Sequence, residues 1–240
     1  MRLSPPRIAL CLAAGLSFGA ASAATITGTV TYDGKVPNLK PLDMAADAAC
    51  AKMHGGKPAP SEALALGAGN TMGNIMVSVA GGLPAGKTYP AATAPVVMDQ
   101  KGCRYEPHVF GLQVNQPFKV LNSDGILHNV HALPKVNAPF NLAMPPTVKE
   151  SSKSFGKAEG MFMIKCDVHP WMSSYAGVFA HPYFSVTKTD GKFTIANLDA
   201  GTYQLEAWHE KLGVQKASVT VTGSETKTVD FKFTSPSAAK

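Results

Sequence analysis

The stretch "KCDVHPWM", residues 165–172, places a thiol, an imidazole and a thioether within seven positions: Cys166, His169 and Met172. Together these groups favour a soft or borderline metal. A thiolate, two imidazoles and a weak thioether are the ligand set of a blue-copper electron-transfer site. The loop supplies one imidazole, so a second must come from elsewhere. "LHNVHALP" offers His128 and His131. Three apart on an extended segment, these two point to opposite faces, so only one of them is expected to face the site.

The cysteine count supports the same reading. Arg2 and Arg7, the apolar run "IALCLAAGLSFGA" and the small residues "ASA" at 21–23 read as an export signal cleaved after Ala23. The apolar run is too short for a membrane span. Leu10 stands before Cys11, where a lipoprotein signal wants a small residue. No other stretch is long and apolar enough to cross a bilayer, so the mature protein is expected to be soluble, exported and periplasmic. Losing Arg2 and Arg7 takes the formal charge from +6 to +4 (two arginines removed). No Lys/Arg cluster remains, which argues against nucleic acid as a partner. Cleavage leaves Cys50, Cys103 and Cys166, an odd number in an oxidising compartment. The simplest partition is a Cys50–Cys103 disulfide with Cys166 free, and a metal on Cys166 would protect it from oxidation. The alternative joins Cys50 and Cys103 with His54 and His108 in a zinc or second copper site.

The elements that must position these residues read as strands. "TITGTVTYDG" and "NIMVSVAGG" are strand-and-turn patterns, as are "VFGLQV", "PFKVLNSDG" and "ILHNVHALP". "DMAADAACAKMHGG" reads as a short helix ending at Gly55. "PKVNAPFNLAMPPTVKESSKS" reads as a long, polar, Pro-broken loop. In "GMFMIKC", Phe162, Ile164 and Cys166 share one face and Met161, Met163 and Lys165 the other. Met161 and Met163 look like a copper-carrier pair, though a strand edge explains them as well. From 184 onward regular hairpins are expected, with Asp190-Gly191 as a turn. "WHEKLG" is not a protease motif, so His209 and Glu210 carry no such signal. His181 has no assigned role. The fold class is all-β, in two sandwich units.

"NSDG", then "HNVH", then a strand into C-x2-H-x2-M resembles the cupredoxins, and the short His169–Met172 spacing is similar to the amicyanin type. The resemblance covers roughly residues 100 to 180. It implies a Greek-key copper domain with His128, Cys166, His169 and Met172 as ligands of one type 1 copper ion. Asn129 would brace the ligand loop by hydrogen bonding, and Pro170 with Trp171 would form an apolar docking patch. Asn115 stands where many cupredoxins have Gly; Asn also tolerates positive φ. "KGCRYEPHVFG" and "AHPYFSVT" make the whole chain similar to periplasmic proteins described as methylamine-utilisation proteins. "ITGTVTYDG" and "TDGKFTIANLDAGTYQLEAW" resemble two halves of a carboxypeptidase-regulatory-like, transthyretin-like β-sandwich. The expected layout is therefore a signal at 1–23, sandwich parts at 24–90 and 183–240, and the copper domain at 91–182 inserted between them. The rival layout is sequential, with a cupredoxin from about 72 to 181. The function implied is a non-enzymatic periplasmic carrier of single electrons, with a cytochrome c or a dehydrogenase as partner. The alternatives are a copper-handling protein or an accessory factor for a periplasmic dehydrogenase.

Overall fold

The computed structural model describes residues 23–235, so the export-signal reading lies, Ala23 apart, outside the described residues. Among the described residues no helix is long and apolar enough to cross a membrane.

The chain is nearly all β, folded as two sandwiches. Strands from both ends of the chain build the first. In one sheet Ala24–Asp33 lies between Lys192–Leu198, antiparallel, and the parallel pieces Thr226–Thr228 and Phe231–Thr234. The facing sheet runs Phe184–Val186, Met76–Gly81, Gly201–His209, Gly213–Val221. Ala24–Asp33 alternates buried and half-buried positions along its length, the period-two signature of a strand with one face on a core. Ile26, Val30, Phe193 and Phe231 meet Val77, Val79, Tyr203 and Leu205 from the other sheet.

The middle of the chain builds the second sandwich. One sheet runs Val109–Gln113, Ser173–Phe179, Glu159–Lys165, His128–Ala132, Phe140–Met144. The other runs Tyr105–Glu106, Val96–Gln100, Phe118–Asn122, Glu150–Lys153. Met98, Phe118 and Val120 face Phe110, Val130, Phe162 and Ile164 across its core. The span between Leu42 and Ala59, which lies within 24–90, packs on this second core through Met44, Cys50 and Ala59. The two sandwiches meet along a seam of Met76, Val109 and Tyr175, with Phe184 and Trp208 packed against them. Gly111 permits that approach: a Cβ there would lie 2.6 Å from the Phe184 ring.

Two local expectations fail. The Pro-broken stretch after residue 133 is not all loop: Phe140–Met144 and Glu150–Lys153 are strands, each at a sheet edge. Pro145 and Pro146 fall in the connection between them, so no ladder bond is lost. At Asp190-Gly191 the turn exists, but it joins no hairpin. Phe184–Val186 pairs with Met76–Gly81, whereas Lys192–Leu198 crosses to the other sheet and pairs with Ala24–Asp33. Gly191 sits at φ 70°, and a Cβ there would lie 2.5 Å from the Val30 carbonyl oxygen, so the crossing requires glycine.

The expected helix is Ala48–Met53. Asp47 caps it, accepting from the N–H groups of Ala49 (2.8 Å) and Cys50 (3.0 Å). Gly55 and Gly56, both at positive φ, turn the chain away at its end. Cys50 and Cys103 form a disulfide, which fastens this helix to the second sandwich. Closing a loop of 53 residues is worth about 4 kcal/mol in the chain-entropy account. The zinc or second-copper alternative is thereby removed. His54 bonds instead to the Gly102 carbonyl (2.8 Å), and His108 to the Ser173 carbonyl (3.0 Å) and Glu210 (2.7 Å).

Candidate metal centre

The strand Glu159–Lys165 has Phe162 and Ile164 buried and Met161, Met163 and Lys165 half-buried. It delivers Cys166 into the core end of the second sandwich, and the chain then turns tightly. The Cys166 N–H donates to the Met172 carbonyl (3.1 Å) and the Met172 N–H to the His169 carbonyl (2.9 Å). These two bonds fold the loop so that the His169 N–H also approaches Cys166 Sγ (3.4 Å). Met172 is buried in the same core as Cys166.

His128 opens the strand His128–Ala132, beside Glu159–Lys165. Its imidazole is fully buried and its Nδ1 lies 2.9 Å from Nδ1 of His169. Cys166 Sγ lies 3.8 Å from the same His169 nitrogen. The ligating atoms of His128, Cys166 and His169 all fall within 4.8 Å of one another, and all three residues are buried. His131, on the other face, is half exposed and turns to Asp167 (2.9 Å).

Two carboxylates orient the imidazoles. Asp124 accepts from the N–H groups of Gly102 (2.6 Å) and Cys103 (2.8 Å), and its Oδ2 lies 2.9 Å from His128 Nε2. Asp47 Oδ2 lies 3.3 Å from His169 Nε2. Each carboxylate favours a proton on the Nε2 facing it, so Nδ1 is the nitrogen each ring turns toward the other imidazole and the thiol. Both carboxylates are themselves held by the backbone N–H of a half-cystine, Cys50 for Asp47 and Cys103 for Asp124. The disulfide thus ties the two orienting groups together.

Asn129 braces the loop. Its Oδ1 accepts from the Asp167 N–H (2.7 Å) and lies 3.2 Å from Cys166 Sγ. Its Nδ2 donates to Asn141 Oδ1 (2.7 Å) and Asp167 Oδ2 (3.1 Å). The buried Tyr105 hydroxyl donates to the Asn129 carbonyl. Burial and the neighbouring Cys166 push that phenol up, so it stays a donor. Burial also works against a Cys166 thiolate. The His128 imidazole and the backbone N–H groups of Asn129, His169 and Val168 outweigh it and bring the thiol down to about 6. Burial works against a His128 cation in the same way, but Asp124 and Cys166 raise the imidazole to about 9. Two imidazole nitrogens and an easily formed thiolate, converging in a buried pocket, fit a soft or borderline metal ion.

Pro170 is exposed, whereas Trp171 is half-buried, its indole N–H donating to the Cys103 carbonyl (3.1 Å) and its ring centred 5.1 Å from that of His169. His169 is only 2% exposed, because the capped helix and Trp171 cover its outer edge. Asp47, Asp124 and Tyr105 were not singled out from sequence. The one available signal was the acidic residue in "NSDG" four positions before His128. His181 stacks with Tyr183 and contacts Phe179 and Tyr89, and His209 accepts from the Lys211 and Leu212 N–H groups; both rings are lowered by burial.

Comparison with known proteins gives partial likenesses. The family described as polysaccharide lyase family 4, domain II, matches residues 162–229. No curated protein sequence matches. Among solved structures, an amicyanin variant in its Cu(I) form is 22% identical, covering 44% of this chain and 99% of its own, at a TM-score of 0.32. The copper-containing nitrite reductase of Thermus scotoductus SA-01 is 19% identical over 42% of this chain and 25% of its own, at 0.33. The purple cupredoxin of Nitrosopumilus maritimus is 18% identical over 35% of this chain and 98% of its own, at 0.29.

Proposed function

We propose that the protein is a periplasmic type 1 copper protein that carries single electrons between redox partners and catalyses no reaction of its own. The observation that carries the reading is the convergence of two imidazole Nδ1 atoms, 2.9 Å apart, on the Cys166 thiol inside a buried pocket. His128, His169 and Cys166 would hold the ion, with Met172 as a weaker thioether donor. Bound copper would supply the one-electron Cu(II)/Cu(I) couple. Asp47 and Asp124 keep the Nε2 protons in place and so fix both ring orientations. Asn129 holds Asp167 N–H and thereby the start of the loop. The disulfide and the second core keep these groups from shifting between redox states, which lowers the rearrangement each transfer requires. The strands at 24–90 and 183–240 form the surrounding sandwich, with 91–182 as the copper domain. The partner is a periplasmic redox protein such as a cytochrome c or a dehydrogenase, docking near Pro170 and Trp171. The visible spectrum of the Cu(II)-loaded protein tests the reading, with Cys166→Ser as its control. An intense band that disappears in the variant supports it, and a colourless wild type overturns it.

A further inference from the structure

We propose that the first sandwich sets the position of the Met172 thioether, with Glu210 and His108 as the positioning residues. The proposal rests on the copper reading above and gives the first sandwich a part in it.

Glu210 follows the strand Gly201–His209 of the first sandwich, and His108 precedes Val109–Gln113 of the second. They meet at the seam, where Glu210 Oε1 lies 2.7 Å from His108 Nε2. Their side chains are 7% and 5% exposed, so water does not take the place of either partner. The other ring nitrogen, Nδ1, lies 3.0 Å from the Ser173 carbonyl oxygen. A carbonyl oxygen can only accept, so Nδ1 carries a proton, and Nε2 shares a proton with the Glu210 carboxyl. Glu62 also faces Nδ1, but at 3.7 Å it is too far for a hydrogen bond. The carboxyl at one end of the imidazole thus orients the ring, and the ring holds a peptide group at the other end.

That peptide group stands next to Met172. Ser173–Phe179 begins to pair with Val109–Gln113 only at Tyr175, whose N–H donates to the His108 carbonyl (2.8 Å). The Ser173 carbonyl lies ahead of that ladder, and the His108 ring donates to it there. The Ser174 hydroxyl fastens the same corner, 3.0 Å from the Pro107 carbonyl and 2.9 Å from that of His108. On its other side Met172 is held by the ligand loop, through its bonds to His169 and Cys166. The thioether is therefore carried between two anchored segments, and the second is anchored from the first sandwich. A weak thioether bond does not hold its own sulfur in place. The backbone that carries Met172 then governs how strongly the sulfur donates, and that donation tunes the potential.

The test has two readouts, one of them without copper. In the full apoprotein, isotope-labelled at the methionine methyl groups, Glu210→Ala should move the Met172 nuclear magnetic resonance. The resonances of Met44 and Met144, in the same core, should stay where they are. Glu210→Gln keeps an oxygen that can accept from Nε2 and should leave the Met172 resonance close to its wild-type position. Glu210→Asp keeps the charge but withdraws the carboxyl by one methylene; it should move the resonance less than Glu210→Ala, and it stands in for that variant should Glu210→Ala not fold. In the copper-loaded protein Glu210→Ala should raise the reduction potential, as Met172→Leu does but by less. It should raise it no further when Met172→Leu is already present, because the effect travels through Met172. An unmoved Met172 resonance would overturn the proposal. So would a potential that rises equally in Glu210→Gln, or that still rises on top of Met172→Leu, since either result would trace the effect to lost charge. If the protein proves to hold no type 1 copper, the reading above fails while the apoprotein resonances still decide whether Glu210 positions Met172.

Discussion

Asp124→Asn isolates the carboxylate behind His128. In the native protein three N–H groups converge on that carboxyl, from Gly102, Cys103 and His128 Nε2, at 2.6, 2.8 and 2.9 Å. The His128 side chain is 0% exposed and that of Asp124 only 4%. Water therefore cannot replace what the substitution removes. Asparagine keeps the shape but turns one oxygen into an NH2 group, which must face at least one of the three donors. It also removes the negative charge that favours a proton on Nε2, freeing the ring to take the tautomer with its proton on the copper side. Loss of such a partner costs about 10–100-fold in metal affinity, or about 1.4–2.7 kcal/mol. Asp47→Asn should cost less, within ~5-fold, because the Asp47 side chain is 36% exposed and stands 3.3 Å from His169. Affinity is measured by competition with a copper chelator, alongside thermal unfolding of each apoprotein so that lost stability is not mistaken for lost binding. Equal losses in the two variants, or a larger loss for Asp47→Asn, would refute the argument that burial and distance rank these two carboxylates.

Three further outcomes follow from the same geometry. His128→Gly should lose its colour and regain it with added imidazole, whereas His131→Gly should keep the wild-type spectrum; the reverse result would mean that the strand register is wrong. Met172→Leu should stay coloured and gain a higher reduction potential by voltammetry, since removing a donor disfavours Cu(II); a variant unable to bind copper would give Met172 a larger role. In the apoprotein Cys166 should titrate at about 6, so its thiolate absorbance rises as pH increases through that value. Copper affinity should correspondingly weaken below it, where a thiol proton must be displaced, and His128→Gln should move the titration upward.

Local chemistry made part of this molecule legible in the sequence. Period-two alternation separates His128 from His131 and Phe162 from Met163, and the strands obey it. The odd cysteine count pointed to the Cys50–Cys103 disulfide, because only that pairing leaves the thiol of the short loop free. What was not legible depends on how segments close on one another. Phe140–Met144 and Glu150–Lys153 were hidden by Pro145, Pro146 and a polar composition that edge strands tolerate. The Asp190-Gly191 turn has the same residues whether its arms pair or part, so its crossing between sheets had no local signature. Asp47 lies 122 residues from His169 in sequence. No spacing rule connects them; the contact exists because the disulfide brings the capped helix over the site. The burial of His169 has the same origin.

In the proposed function the Cys166 sulfur binds copper together with two imidazoles. Its most direct test is the visible and electron paramagnetic resonance spectrum of the Cu(II)-loaded protein, recorded beside Cys166→Ser. The wild type should show an intense sulfur-to-copper charge-transfer band and a narrow copper hyperfine splitting, both absent from the variant. A pale wild type with ordinary Cu(II) hyperfine splitting, or a band that survives Cys166→Ser, would contradict it.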